Sequence, residues 1–155
     1  MEQKTKIHAE EGKQDFFITR EFDLPLELLF KAHAEPELIS QWMSTKVLRF
    51  EGRKFGNWQY ETTDATGKPV FAASGVFHEF IPNRKIIRTF EMANVPFGVQ
   101  IDFTEFEELT AATSKVSIHI IYESVAQRDQ NLKMGMGQGI NWAHNRLEEV
   151  LKTLK

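Results

Sequence analysis

The sequence predicts an α+β domain of the helix-grip type, in which a curved antiparallel sheet of about six to seven strands carries a long C-terminal helix. Segments of alternating apolar and polar residues recur between residues 46 and 123, a pattern typical of strands with one covered face. Apolar residues at spacings of three and four then run from residue 126 to 154, as in an amphipathic helix. We therefore expect one long helix packed across the sheet, with two short helices after the first strand.

Composition limits the classes of function. The 155 residues suit one domain, and the 41% hydrophobic content, with 13 Phe, is sufficient for a core. The net charge of −3, without a basic stripe, argues against nucleic acid as a partner. The absence of cysteine excludes disulfides, thiol catalysis and thiolate metal sites. No apolar run of about 18 residues occurs, so we expect no membrane insertion. Without an apolar leader at the N-terminus, the expected location is cytoplasmic.

The N-terminal third predicts a strand followed by two short helices. Residues 1–13 are expected to be a flexible segment or a short strand, and residues 14–155 a single domain. Asp15–Phe22 contains a β-prone run and is the first predicted strand of the domain. Asp23-Leu24-Pro25 is typical of a helix start, with Asp23 as the capping residue. Pro36 ends that helix and begins a second, over Pro36–Trp42.

Six further strands are separated by turn signals such as Gly56 and Pro82-Asn83. They are predicted at Lys46–Glu51, Asn57–Thr62, Val70–Ile81, Lys85–Met92, Val99–Glu107 and Lys115–Glu123. Strict alternation in the last two strands predicts which side chains face the core. The expected dry face carries Val99, Ile101, Phe103, Val116, Ile118, Ile120 and Tyr122. The expected wet face carries Gln100, Asp102, Thr104, Ser117 and His119.

The C-terminal helix is predicted over Ala126–Leu154 and would be about 40 Å long at 1.5 Å per residue. Gly135, Gly137 and Gly139 lie inside it, and each should cost about 1 kcal/mol relative to Ala. Two interpretations are open. The missing side chains leave a cavity or let the helix kink as a lid, or else they permit close packing against Trp58 or Phe77. We expect a binding site beneath this glycine-containing half of the helix.

Ordered motifs extend from Phe16 to the C-terminus. They are Ile18–Pro25, Pro36-Glu37-Leu38 with Gln41-Trp42, Glu51 to Trp58, Gly75 to Glu91, and Ser124 to Leu147. Together they resemble the SRPBCC superfamily (START-like, the fold of the major birch-pollen allergen). Within it, the chain is similar to the bacterial branch related to the C-terminal domain of the activator of heat-shock-protein-90 ATPase. The resemblance implies a helix-grip fold that encloses a pocket between the sheet and the last helix.

Several residues depart from the pattern of that family. Met43, Ser44 and Thr45 stand where the family has a second Trp and a Gly-Pro pair, and Phe55 replaces the first Gly of a glycine pair. Trp142 stands where the family often has a polar residue. These positions are expected around the mouth and lid of the pocket, so the family's ligand specificity is not carried over.

The expected ligand-binding residues are those predicted to line this cavity. They are His33, Trp42, Trp58, Tyr60, Phe77, Glu79, Thr89, Glu91, Met136, Gly139, Ile140 and Ala143. A carboxylate in an apolar cavity is costly unless it is paired, and Arg20 on the first strand is the predicted partner of Glu79 or Glu91. Such a pair would be structural, or else a polar anchor or general acid–base group.

The five histidines form no metal-binding spacing, so we assign no metal, no cofactor and no catalytic residue. His33 lies on the inner face of the first helix, as a hydrogen-bonded core residue or as a ligand contact. His78 is predicted to face away from Phe77, His119 to face solvent, and His144 to lie nearly opposite the apolar stripe of the last helix.

Three functions remain in competition at this stage. The first is a binding protein for a small hydrophobic molecule, either lipid-like or aromatic. The second is a cyclase-like or hydrolase-like enzyme that uses a cavity carboxylate. The third is a chaperone-associated or stress-response interaction domain, as the resemblance to the heat-shock activator implies. The third ranks last, because the related eukaryotic activators use an additional N-terminal domain for much of the chaperone contact. The expected oligomeric state is a monomer or a weak dimer.

Overall fold

The computed structural model describes residues 4–155 as eight strands and four helices. The strands are β1 (Lys6–His8), β2 (Asp15–Phe22), β3 (Lys46–Phe50), β4 (Asn57–Thr63), β5 (Pro69–Ile81), β6 (Lys85–Met92), β7 (Val99–Thr110) and β8 (Thr113–Ile121). The helices are α1 (Leu26–Ala34), α2 (Pro36–Met43), α3 (Val125–Lys133) and α4 (Met136–Lys152). No helix within this part of the chain is long and apolar enough to cross a membrane.

All eight strands join one antiparallel sheet in the order β1-β2-β8-β7-β6-β5-β4-β3. The predicted α+β helix-grip class is therefore confirmed, with one strand more than the predicted upper number. The additional strand is β1, which pairs with β2 and lies in the segment 1–13. Residues 1–3 of that segment lie outside the described residues. The concave face of the sheet, defined here as the face that α4 covers, holds the core.

Helices α1 and α2 form a bent pair at one end of the sheet. Pro36 occupies the first turn of α2, where its missing N–H costs nothing. The Trp42 indole Nε1 donates to the Ala32 carbonyl oxygen at 2.8 Å and ties the two helices together. The predicted cap by Asp23 is wrong: α1 begins after Pro25 without a side-chain cap, and Asp23 instead lies 3.5 Å from the Lys155 ammonium.

The predicted single C-terminal helix is wrong, because the chain breaks between α3 and α4. Gly135 adopts the left-handed conformation at φ +80° and caps the N-terminus of α4. A left-handed residue is cheap only for glycine, so the break falls where the sequence carries one. Apolar spacing continues on both sides of so short an interruption, and periodicity alone did not reveal it. Helix α4 has 17 residues, so it is about 25 Å long.

Helix α3 fastens the N-terminal segment to the domain. Ser124 caps it by accepting a hydrogen bond from the Gln127 backbone N–H at 3.2 Å. The buried Arg128 guanidinium donates to the carbonyl oxygens of Glu10, at 2.6 Å, and Asp15, at 3.0 Å. These two acceptors lie on either side of the turn between β1 and β2, so Arg128 holds that turn against the helix.

The predicted inward face of β7 is wrong, whereas that of β8 is as expected. Register pairs Asp102 with Ile120 and Phe103 with His119, so Asp102 shares the concave face with Ile120. Asp102 is 5% exposed, whereas Ile101 is 39% exposed. Alternation separates the residues of a strand into two faces but does not say which face meets the core. Here the face of Gln100 and Asp102 is buried, because these two side chains are hydrogen-bonded to each other.

Two positions that depart from the family pattern have left-handed backbone. Ser44 has φ 52° and Phe55 has φ 68°. Both stand where the resemblance leads one to expect glycine, the residue that adopts this conformation without steric cost. The two turns therefore keep a left-handed shape although the chain has lost the glycine at each.

The core divides into two clusters beneath α4. One lies under its C-terminal half, where Leu147 and Leu151 pack against α1, α2 and the strands around Trp58. The other contains Phe16, Ile18, Ile120 and Tyr122 on β2 and in and just beyond β8. Between the clusters, under the N-terminal half of α4, the packing is incomplete and a cavity remains.

Candidate functional site

A cavity of about 460 Å³ lies between the concave face of the sheet and α4, with α1, α2 and the loop 93–98 completing its wall. Most of the wall is apolar. The residues predicted from the sequence that do form part of it are His33, Trp42, Tyr60, Phe77, Met136, Gly139, Ile140 and Ala143. Contact between these residues and a ligand stays a prediction.

Four residues of the predicted lining lie outside the wall. Thr89 pairs with Ile101 and Glu91 with Val99, so both are on the convex face, while Arg88 and Phe90 face the cavity. The prediction that Thr89 and Glu91 line the cavity therefore had the two faces of β6 reversed.

The other two have different surroundings. Trp58 is 1% exposed and is covered by the Arg88 guanidinium, which lies 4.4 Å from the centre of its ring. Glu79 follows a β-bulge after Phe77, and its carboxylate lies 3.8 Å from the Lys85 ammonium near the surface. A bulge breaks strand parity, so Phe77 does not predict the direction of Glu79.

Arg20 forms a buried polar cluster away from Glu79 and Glu91, so its predicted partners are wrong. Its guanidinium lies 3.9 Å from the Glu148 carboxylate on α4 and donates to Asn145 Oδ1 at 2.8 Å. Burial lowers the pKa of Arg20, and the charge of Glu148 opposes that effect. Arg20 therefore fastens β2 to the C-terminal half of α4, where the apolar core is dense.

The polar centre of the cavity is defined as Arg88, Asp102, Gln100 and Tyr60, of which only Tyr60 was predicted to line the cavity. Arg88 Nε lies 3.4 Å from Asp102 Oδ2, and Arg88 Nη1 lies 3.3 Å from the Tyr60 hydroxyl. Gln100 Nε2 donates to Asp102 Oδ1 at 2.8 Å. Burial raises the pKa of Asp102, although Arg88 and Gln100 act in the opposite direction. The sequence did carry a signal for these buried polar residues, since Arg88, Gln100 and Asp102 all occur in strands and have apolar neighbours.

His33 presents its ring to the cavity. Its Nδ1 lies 2.9 Å from the Leu29 carbonyl oxygen one turn earlier in α1. The ring packs against Trp42 and Phe106, with centroid distances of 5.3 and 5.0 Å. Burial lowers the pKa of His33 to about 4, so the imidazole is neutral at pH 7.

His144 also lines the cavity, which corrects its predicted position opposite the apolar stripe. It is 1% exposed and packs against Phe22, with ring centroids 5.4 Å apart. Burial lowers its pKa well below the usual value, with smaller effects from His33 and Arg20. The prediction failed because, within α4, His144 lies on the same helix face as Leu147 and Leu151, three and seven residues further along.

The remaining sequence-predicted histidine positions lie outside the cavity. His78 is exposed. His119 lies on the convex face as predicted, but it is half-buried there. Its Nε2 lies 2.7 Å from Asp15 Oδ2, and its ring stacks on Phe17 at 4.1 Å.

The glycines around the start of α4 have space for a side chain or nearly so. A Cβ atom added at Gly139 would meet nothing within 4 Å, and at Gly137 it would approach only Ile7 Cδ1, at 3.3 Å. Neither glycine is in close contact with Trp58 or Phe77, so the close-packing interpretation is wrong at these two positions.

Methionines form part of the cavity wall. The chain has five, and four of them line the cavity: Met43, Met92, Met134 and Met136. Met134 is 69% exposed at the junction between α3 and α4. Unbranched methionine side chains adapt their shape to what they contact, so this part of the wall can adjust to different occupants.

The wall is mainly apolar and contains one ion pair, Arg88 with Asp102. Among the described residues, no three His, Cys, Asp or Glu side chains converge as a metal site would require. Asp102 is the one carboxylate that the described part of the wall contains, and both of its oxygens already accept hydrogen bonds. The arrangement can hold an apolar molecule and offer hydrogen bonds to a few polar atoms.

A curved antiparallel sheet, two short helices and a C-terminal helix over an internal cavity define a helix-grip domain. The sequence model described as "Activator of Hsp90 ATPase homolog 1-like protein" matches residues 23–152, and the chain belongs to this family. The resemblance predicted from the motifs is therefore confirmed. No functionally curated protein matches the chain significantly.

Solved bacterial structures share the fold. A protein from Mycobacterium smegmatis is 20% identical, with 95% of this chain and 96% of that chain covered and a TM-score of 0.83. One from Arthrobacter aurescens is 19% identical, with 96% and 91% covered and a TM-score of 0.85. One from Nitrosomonas europaea is 25% identical, with 92% and 96% covered and a TM-score of 0.78.

Proposed function

We propose that this protein binds a small, mainly apolar molecule in the cavity between the sheet and α4. The observation that carries the proposal is the wall itself: a cavity of about 460 Å³ with aromatic, aliphatic and methionine side chains around a few polar groups. Ligand pockets usually have ~300–1,000 Å³ and this mixture of groups. The fold family commonly binds small hydrophobic ligands, which supports the same reading.

The size of the cavity supports an occupant on energetic grounds. A rigid, dry void costs about 24 cal/mol per Å³, so one of this size would cost on the order of 10 kcal/mol. That is comparable with the whole stability of a domain. Solvent that enters lowers the cost, and an apolar occupant lowers it further by covering the aromatic wall.

Native mass spectrometry of the freshly purified protein, followed by organic extraction, tests the proposal. We expect a copurifying molecule of defined mass that dissociates on denaturation. The variant Ala143→Leu should lose it, because Ala143 lines the cavity and the larger side chain takes up ligand space. Gln138→Leu is the matched control, since Gln138 is exposed on the same helix. Equal retention by the two folded variants would contradict the proposed site.

An enzymatic role that relies on a cavity carboxylate would have to use Asp102, because Glu79 and Glu91 lie outside the cavity. Its raised pKa is the observation that favours a cyclase-like or hydrolase-like reaction over passive binding. Asp102→Asn would then abolish turnover of the extracted molecule while leaving its binding intact. Loss of binding without any turnover in the unmodified protein would remove this alternative.

The chaperone-associated or stress-response role rests on the family description alone. A pull-down that finds no stable complex with the chaperone would argue against it. Cytoplasmic location and a monomeric or weakly dimeric state likewise stay predictions from the sequence.

A further inference from the structure

The two nitrogens of His33 have different roles. The Leu29 carbonyl oxygen can only accept, so the Nδ1 atom 2.9 Å away must carry the ring hydrogen. The ring is neutral, since its pKa is about 4, and Nε2 therefore bears a lone pair. No residue in the range 4–155 hydrogen-bonds this Nε2, and the ring lines the cavity. His33 thus presents an unpaired acceptor to any occupant.

His144 presents the opposite group. Thr5 Oγ1 accepts from Arg20 Nη1 at 3.1 Å and lies 3.0 Å from His144 Nδ1. The Thr5 hydroxyl needs an acceptor for its own hydrogen, and His144 Nδ1 is the one that the described residues supply. This network assigns the ring hydrogen to Nε2, which has no partner in the described part of the chain. His144 therefore offers a donor to the cavity.

Both imidazoles lie at the Trp42 end of the cavity. The Trp42 ring is 5.3 Å from the His33 ring and 6.2 Å from the His144 ring, between centroids. The charges elsewhere in the wall are balanced, because Arg88 already has the Asp102 carboxylate as its counter-ion. An ionised ligand would leave one charge unpaired in a poorly solvated space, which is costly.

We propose that the ligand is uncharged and carries a hydroxyl group, and that His33 Nε2 accepts the hydrogen bond from this hydroxyl and so determines specificity. This inference rests on the proposed function and names the chemical class of the ligand. A hydroxyl can both donate to His33 and accept from His144, whereas an ether or an ester can only accept. A carboxylate can only accept and also adds a charge. Among these groups, the hydroxyl alone can donate to His33 Nε2.

Calorimetric titration with three probes of nearly the same shape tests this inference. The probes are 2-naphthol, 2-methoxynaphthalene and 2-naphthoate, and their rings suit a wall that contains Trp42, Tyr60, Phe77 and Phe90. We expect 2-naphthol to bind about tenfold more tightly than the methyl ether, the value of one net hydrogen bond. The naphthoate should bind more weakly than the naphthol.

The variant His33→Phe should reduce the tenfold preference for 2-naphthol over 2-methoxynaphthalene to about one. His78→Phe is the matched control, because His78 is exposed, and it should keep the preference. Equal binding of naphthol and ether by the unmodified protein, or an unchanged preference in His33→Phe, would overturn the inference. If none of the three probes binds, the proposed apolar site fails for this class, and the inference falls with it.

Nitrogen-15 NMR of the histidine rings in the unmodified protein supplies a test that does not depend on the folding of a variant. 2-Naphthol should shift the His33 Nε2 resonance, because its lone pair becomes a hydrogen-bond acceptor. 2-Methoxynaphthalene should leave that resonance nearly in place. A naphthol that binds without shifting it would refute the assigned role of His33.

Discussion

Gly135 and Gly139 lie one turn apart, and the structure predicts that the same substitution has opposite effects at the two positions. A Cβ atom would meet nothing within 4 Å at either site. The two differ in backbone: Gly135 is left-handed at φ +80°, whereas Gly139 lies within α4 and its N–H donates to the Gly135 carbonyl at 3.1 Å. Both positions therefore have room for a methyl group, and the two alanine variants should differ only because the backbone conformation of the substituted residue differs.

Gly139→Ala should raise the free energy of unfolding by about 1 kcal/mol, because alanine has the higher helix propensity. Gly135→Ala should lower it by about 1 kcal/mol. The left-handed conformation costs alanine about 1–2 kcal/mol, and the reduced freedom of the unfolded chain offsets part of that cost. For a chain of 155 residues, each change corresponds to about 3 °C in Tm, upward for Gly139→Ala and downward for Gly135→Ala.

Urea unfolding followed by circular dichroism measures both effects, and equal slopes for the variants would show that the midpoints report stability. Stabilisation by both substitutions would mean that Gly135 is helical and that α3 and α4 are one continuous helix. Destabilisation by both would mean that the start of α4 is not the regular helix seen here. Either result would refute the reasoning about the break.

Three further predictions concern ionisable side chains in the interior of the protein. Arg20→Met should lower the free energy of unfolding by about 2 kcal/mol, because it removes the buried hydrogen bonds from the guanidinium to Thr5 and Asn145, while Glu148 keeps the Lys4 and Lys152 ammonium groups at 3.9 and 3.8 Å; Arg49→Met, at an exposed pair, should change it by less than about 1 kcal/mol in the same urea experiment. For His33 the folded-state pKa is lowered from 6.5 to about 4, so its contribution to stability is present above pH 6.5 and is lost as the pH falls toward 4. Between pH 7 and pH 5 the loss in the free energy of unfolding amounts to about 2 kcal/mol. His33→Phe should remove that much of the pH dependence of the free energy of unfolding. An unchanged pH profile would contradict a neutral, buried His33. Asp102→Asn should strengthen the binding of 2-naphthoate at least tenfold in calorimetry, because Arg88 then lacks a counter-ion; unchanged affinity would show that Arg88 does not face the occupant.

The sequence determined the elements and their order. Asp15–Phe22 and Lys85–Met92 have the bounds that their composition and turn residues predict, and the other strands differ by a few residues at their ends. These signals are local: β-prone runs, proline and glycine act on the backbone of their immediate neighbours. Strong periodicity over the last thirty residues likewise established a helical cover, since helical spacing needs no knowledge of the partner surface.

Only the tertiary structure decided which faces of β6 and β7 line the cavity. Alternation predicts two faces, and burial of the apolar one is the usual outcome. In this protein Arg88 and Asp102 are buried instead, because each supplies the charge that the other needs across neighbouring strands. Pairing between residues fourteen apart depends on strand register, which no single segment encodes.

The position of the break in the C-terminal helix was likewise decided by the tertiary structure. Gly135, Gly137 and Gly139 have the same residue type and similar spacing, yet Gly135 alone has a left-handed backbone. Helix α4 packs with the face of Leu147 and Leu151 inward, which brings His144 to the Trp42 end of the cavity with His33. The sequence therefore determined a sheet covered by helix, and the packing of that helix decided which polar groups an occupant would meet.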